Sequence, residues 1–139
     1  MKRINLKHVT AQQIMTQDTL AVETRTPIYD AVRILVERGI SGLPVVDADL
    51  KLVGILTEKD VLQLLRERPS SRRFVEDYMT RDVVSFQEDT DLTAIAECLQ
   101  THHFRRVPIT TDGKLAGIIS RRDIIRFILL EEGKLRSEA

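Results

Sequence analysis

The chain is poor in the residues that covalent and redox chemistry need. Among its 139 residues there is one cysteine, Cys98, so neither an internal disulfide nor a cysteine-rich zinc site can form. A lone thiol also fits a reducing compartment, and the expected location is cytoplasmic. Tryptophan is absent and aromatic residues make up only 4%, which leaves few platforms for stacking single-stranded nucleic acid. Neither sign of charge prevails. Lys plus Arg number 21 and Asp plus Glu number 21, so the formal net charge is +0 and a global attraction for nucleic acid is excluded, though local basic patches remain. No apolar run approaches the roughly 20 residues of a membrane span. The opening Met1-Lys2-Arg3-Ile4-Asn5-Leu6-Lys7-His8 is basic but lacks the apolar stretch of a signal peptide. A glycine-rich phosphate loop, a nucleophile elbow and a paired-carboxylate constellation are also missing, so no enzymatic activity is expected. His102 and His103 are adjacent and point in different directions on a helix end. With no further ligand at suitable spacing, no metal site is expected.

What the chain has is 42% hydrophobic residues, enough for a globular core, and an internal repeat. Ile14-Met15-Thr16-Gln17-Asp18 returns as Tyr78-Met79-Thr80-Arg81-Asp82, an offset of 64 residues (79 − 15). Thr26 matches Thr90, Leu35 matches Leu99 and Pro44 matches Pro108 at the same offset. One residue is then lost in a turn, and Gly54 and Asp60 match Gly117 and Asp123 at an offset of 63 (117 − 54). A deletion costs least in a surface turn.

Each copy predicts the same elements. A short strand spans 19–22 or 83–86. A helix follows, capped by Thr26 with Pro27 in its first position, or capped by Thr90. Ile28, Ala31, Val32, Leu35 and Val36 form one apolar stripe, and Leu92, Ile95, Ala96 and Leu99 the other. Gly39 suits the first helix's C-terminal end. Two more strands are expected at 43–46 and 52–56, or 107–109 and 115–119. A last helix spans about 58–65, or about 121–130. The linker is read at 66–73, where Pro69-Ser70-Ser71 interrupts a basic stretch. Copies of this size are marginal alone, which favours joint packing by a pseudo-two-fold into one module.

These residues resemble the CBS domain pair (the cystathionine β-synthase motif, or Bateman module). The resemblance rests on Ile40-Ser41-Gly42-Leu43-Pro44-Val45-Val46-Asp47 with Leu52-Val53-Gly54-Ile55-Leu56-Thr57-Glu58-Lys59-Asp60. It rests equally on Phe104-Arg105-Arg106-Val107-Pro108-Ile109 with Leu115-Ala116-Gly117-Ile118-Ile119-Ser120-Arg121-Arg122-Asp123. The repeats are placed at 9–66 and 74–131. The implied fold is α+β, two β-α-β-β-α repeats.

The implied function is that of a stand-alone regulatory module. It would bind an adenosyl ligand (AMP, ADP, ATP or S-adenosylmethionine) in clefts between the copies and signal to a regulated protein that the sequence does not identify. A homodimer is also implied. The ligand is regulatory, not a catalytic cofactor. One cleft would combine Thr16, Leu20, Ala21, Ile40, Ser41 and Pro44 with Ser120, Arg121, Arg122 and Asp123. The other would combine Thr57, Lys59 and Asp60 with Thr80, Val84, Ser85, Phe104, Arg105, Arg106 and Pro108. Arg106 stands where the first copy has Gly42, which would narrow the second cleft.

In each Ser/Thr-x-x-Asp a hydroxyl and a carboxylate cap a helix, and the carboxylate can also accept from ribose hydroxyls. Arg forks suit phosphate oxygens. Two alternatives stand beside this reading. One is a ligand-free interaction or dimerisation module using Phe127, Ile128, Leu129 and Leu130. The other is nucleic-acid binding through Arg66, Arg68, Arg72, Arg73, Arg105, Arg106, Arg121 and Arg122, against which the charge balance argues.

Overall fold

The structure, a computed structural model, describes residues 4–67 and 73–138. Of the expected linker, residues 68–72, with the Pro69-Ser70-Ser71 interruption, lie outside the described residues, as do Arg68 and Arg72. The chain is mixed α+β, with two three-stranded sheets of like topology. In one, β1 (Val22–Glu23) runs parallel to β2 (Gly42–Val46), which pairs antiparallel with β3 (Leu52–Thr57). In the other, β4 (Phe86–Gln87) runs parallel to β5 (Arg106–Thr111), whose other neighbour is β6 (Lys114–Ser120). The helices are α1 (Ala11–Ile14), α2 (Ile28–Arg38), α3 (Glu58–Val61), α4 (Leu92–Thr101) and α5 (Arg121–Glu138).

The apolar stripes read from sequence are the buried faces of α2 and α4. Ile28, Ala31 and Leu35 are buried on one, Leu92, Ile95 and Leu99 on the other. Val36 is the exception and lies 75% exposed. Each stripe covers a sheet whose central strand is sealed: Leu43 and Val45, or Val107 and Ile109, are essentially inaccessible. Fully burying one such side chain stabilises by about 1.5–3 kcal/mol. A proline sits in each central strand without breaking it. The neighbouring edge strand pairs only with Val45 and Val46, or only with Ile109 and Thr110, so the ladder on that side stops short of Pro44 and Pro108.

The turn that differs between the repeats explains the missing residue. After β5 the loop is Asp112-Gly113, both left-handed with φ of 52° and 80°, the type I′ hairpin turn. After β2 the chain takes a longer route, in which the Asp47 carboxylate accepts from Asp49 and Lys51 N–H and Leu50 is left-handed.

Several boundaries differ from expectation. The first strands start at Val22 and Phe86, about three residues late. Before Val22, Thr19 N–H donates to Gln17 and its hydroxyl to the Thr16 carbonyl, which bends the chain away from a ladder. Thr26 is not the helix cap. Its hydroxyl accepts from Glu23 N–H in a turn, and Pro27 at φ −56°, ψ 135° precedes the helix. In the second repeat Asp91, not Thr90, caps α4 by accepting from Thr93 N–H at 2.9 Å. Gly39 ends α2 in the left-handed region, as expected. The last helices are unequal: α3 passes after four residues into a 3-10 turn (Leu62–Leu65), whereas α5 continues for 18.

The compact bodies are not cut where the sequence repeats are. Among the described residues, one comprises 20–67, 73–83 and 113–115, and the other 4–19, 84–112 and 116–138. Each body is therefore the sheet of one repeat joined by the leader segment of the other. In the first, Thr80 and Ile55 exchange backbone hydrogen bonds at 2.8 and 2.9 Å, and Val75 and Glu76 N–H donate to Thr26 and Thr24. Arg25 fastens the same leader, its guanidinium 3.9 Å from the Phe74 ring centroid and 3.2 Å from Glu76. In the second, Thr16 and Ile118 exchange backbone bonds at 3.0 Å, and Ala11 and Gln12 N–H donate to Thr90 and Glu88. Both docked leaders cross a glycine. A Cβ at Gly54 would lie 2.6 Å from Met79 Sδ, and one at Gly117 would lie 2.7 Å from the Thr16 carbonyl oxygen.

Candidate ligand-binding site

Each body carries one Ser/Thr-x-x-Asp at the junction of its last strand and last helix. In the first body Thr57 N–H and hydroxyl both donate to Asp60 Oδ2 at 2.9 Å, and Asp60 N–H returns a bond to the Thr57 hydroxyl at 3.3 Å. In the second, Ser120 N–H and hydroxyl donate to Asp123 Oδ2 at 2.8 and 3.0 Å, and Asp123 N–H returns one at 3.2 Å. The two capping boxes are equivalent up to this point. The helix N-terminus needs them, because its first N–H groups have no intrahelical partner.

They differ at the other carboxylate oxygen. Thr80, on the docked leader, donates its hydroxyl to Asp60 Oδ1 at 3.0 Å and lies 3.2 Å from Oδ2. Asp60 is buried, with its two oxygens supplied from within the body. Asp123 is only partly buried, and Oδ1 faces the Arg126 guanidinium at a loose 3.6 Å. Thr16, the counterpart of Thr80, lines the same groove as Asp123. That open groove between the leader and α5 has a volume of about 600 Å³, within the range of small-molecule sites. The capping bonds to the Asp123 carboxylate thus all go to Oδ2, and Oδ1 is left to Arg126 at the edge of the groove.

The remaining expected residues are distributed as follows. In the first body Leu20 is exposed, Ala21, Ile40 and Ser41 are partly buried, and Pro44 is in the core. The Ser41 carbonyl accepts from Glu58 N–H at 3.1 Å, which brings Ser41 to the start of α3; Lys59 is exposed there. In the second body Val84, Ser85, Phe104, Arg105 and Arg122 are exposed, and Pro108 is in the core. Arg121 is held elsewhere than at an anion: its guanidinium donates to the His102 carbonyl at 3.0 Å and closes the C-terminal end of α4. The Phe104 ring stacks on His102 at 5.3 Å. Arg106 is partly buried, and its Nε lacks a hydrogen-bond partner. Arg126, Glu131 and Lys134 also line the groove and were not among the expected site residues; Glu131 and Lys134 lie past 130, where the last helix was expected to end, and Arg126 lies within it. Their i, i+3 charge pairing was the available signal.

No group of three or more metal-ligating side chains occurs among the described residues. Burial raises the Cys98 thiol above its ordinary pKa.

The CBS domain pattern matches the chain twice, over residues 11–67 and 75–130. The chain belongs to the CBS domain family. Two solved CBS structures align over most of their length. CBSX2 from Arabidopsis thaliana, solved in complex with AMP, shares 30% identity over 87% of this chain and 97% of that one, with a TM-score of 0.77. The CBS domain pair of protein MJ0100, in complex with 5′-methylthioadenosine and S-adenosyl-L-methionine, shares 29% over 91% and 98%, with a TM-score of 0.72. Among sequence relatives, a 17.7 kDa protein of Acidianus ambivalens is 36% identical over 84% of this CBS pair and 71% of its own length. The inosine-5′-monophosphate dehydrogenase of Methanocaldococcus jannaschii is 35% identical, but the CBS pair spans only 23% of that enzyme. Another relative from that organism, protein MJ1225, is spanned over 42% of its length. No helix among the described residues is long and apolar enough to cross a membrane.

Proposed function

We propose that this CBS pair is a regulatory module that binds an adenosyl ligand and reports its concentration to a partner protein. The observation that carries the reading is Asp123. Its Oδ2 is fixed by Ser120, its Oδ1 takes no capping bond, and the residue lines a groove of small-molecule size, an arrangement suited to the 2′- and 3′-hydroxyls of a ribose. The AMP complex of CBSX2 and the methylthioadenosine and S-adenosylmethionine complex of the MJ0100 pair support an adenosyl ligand. Thr16, Ser120 and Asp123 are the residues assigned to it first. Thr57, Asp60 and Thr80 form the counterpart set, already satisfied internally and therefore the weaker site. Signalling requires that the ligand bind two conformations unequally.

The test is thermal unfolding of the protein with AMP, ADP, ATP, S-adenosylmethionine and buffer. A ligand at 100 times its dissociation constant stabilises by about 2.7 kcal/mol, a rise on the order of 10 °C. The expected result is a rise with at least one adenosyl ligand that Asp123→Ala removes. A flat panel overturns the reading.

A second reading is favoured by a specific surface. Ile125, Ile128 and Leu129 are exposed on α5, beside a groove floored by Ala96 and Leu99 of α4. Such a face suits a second copy of the chain, and a homodimer that forms without ligand is its signature.

A further inference from the structure

The groove beside Asp123 has a composition that selects among adenosyl ligands. We infer that it accepts a zwitterionic amino-acid tail on the 5′ carbon, as in S-adenosylmethionine or S-adenosylhomocysteine, and rejects a chain of phosphates. The inference rests on the proposal that Asp123 receives the ribose.

Four charged side chains line the groove, and they cancel. Arg126 pairs with Asp123 at 3.6 Å, and Lys134 pairs with Glu131 at 3.1 Å. A phosphate entering there meets two carboxylates as well as two cations, and must draw each cation from its partner. Repulsion from Asp123 and Glu131 then offsets the attraction. An amino acid exchanges partners one for one: its ammonium takes Glu131 and its carboxylate takes Lys134, with charge conserved throughout. Between those charges the wall is apolar, made by Ile14, Phe127 and Leu130. Methylenes and a thioether or sulfonium suit that wall, since sulfur packs favourably against an aromatic ring and a cation against its face. Phosphate oxygens do not.

Among the described residues of the first body, α3 gives way to a 3-10 turn that ends at Leu65. Leu130, Glu131 and Lys134 lie on the later turns of α5, and α3 ends after four residues. The selectivity is therefore assigned to the Asp123 site alone.

Isothermal titration of the full chain with S-adenosylhomocysteine, 5′-methylthioadenosine, AMP and ATP tests this. Methylthioadenosine carries the same ribose and sulfur without the amino acid, and so reports the Asp123 site independently of the tail. The expected result is S-adenosylhomocysteine tighter than AMP and ATP by tenfold or more. Lys134→Glu and Glu131→Gln should each weaken S-adenosylhomocysteine by about three- to tenfold and leave methylthioadenosine unchanged. Both side chains lie beyond the core, and an unchanged unfolding midpoint verifies that the variants fold. AMP or ATP binding as tightly as S-adenosylhomocysteine, with Asp123→Ala abolishing both, would overturn the tail assignment and leave the adenosyl reading standing. Variants that weaken methylthioadenosine equally would also overturn it. Failure of all four compounds would overturn both.

Discussion

Asp60 and Asp123 occupy equivalent places in two copies of one unit, yet one carboxylate is closed and the other open. The capping geometry is the same to within a few tenths of an ångström, so it reflects what a helix N-terminus requires. The difference comes from the leader segments. Thr80 brings its hydroxyl onto Asp60, whereas Thr16 lines a groove in front of Asp123. The repeat supplies two copies of the same acceptor, and they differ in that Thr80 bonds to the second oxygen of one while Arg126 faces the second oxygen of the other.

The two leader crossings offer the strongest perturbation of this comparison. At Gly117 a Cβ would press on a backbone carbonyl, which cannot move without unseating the Thr16–Ile118 bridge. Gly117→Ala is expected to cost about 2–3 kcal/mol in chemical denaturation. At Gly54 the closest atom is Met79 Sδ, on a flexible side chain, with the Thr80 carbonyl at 3.0 Å. Gly54→Ala should cost about 1 kcal/mol. Equal losses would show that the two leaders are held alike.

A smaller effect is expected at the threonines themselves. Thr80→Val removes a donor from a buried carboxylate that keeps its Thr57 bonds, and should cost about 1–2 kcal/mol. Thr16→Val removes no such bond and should stay within about 0.5 kcal/mol. The pair of denaturation midpoints checks both, and a reversed order would contradict the assignment of Asp60 as the closed site.

The smallest effect concerns the helix caps. Asp91 caps α4 with its carboxylate, while α2, preceded by Pro27, has no side-chain cap. The hydrogen bond from Thr93 N–H holds the Asp91 carboxyl below its ordinary pKa. Its folded pKa lies below the unfolded one, so its contribution is present above the unfolded value and is lost as pH falls through the folded value. Asp91→Asn should therefore flatten the stability profile slightly below about pH 5 and leave its neutral limb nearly unchanged.

Much of the fold was legible from residues alone. The stripes on α2 and α4, the left-handed Gly39 and both Ser/Thr-x-x-Asp caps depend on neighbours within a turn or two, and local spacing reports such features. The docking of Met79 on Gly54 and of Met15 on Gly117 is a contact between distant segments with no periodic signature. The caps were misplaced because a turn takes the Thr26 hydroxyl as acceptor for Glu23 N–H, and because in the second repeat the residue after Thr90, Asp91, also has a capping side chain and accepts from Thr93 N–H. The extra turns of α5 were hidden by Gly133, which normally weakens a helix. Glu131 with Lys134 and Glu132 with Arg136, at 3.1 and 2.7 Å, bracket that glycine with ion pairs. The groove beside Asp123 depends on those turns, so the residues that line its far end could not be named from a helix ended at 130.

The most direct test compares the two carboxylates against one ligand. Titration of the protein, Asp60→Asn and Asp123→Asn with the adenosyl ligand that gives the largest thermal shift is expected to show at least tenfold weaker binding only for Asp123→Asn, with Asp60→Asn altering stability more than affinity. Equal affinity losses, or a loss confined to Asp60→Asn, would contradict the account that Asp123 is the open site.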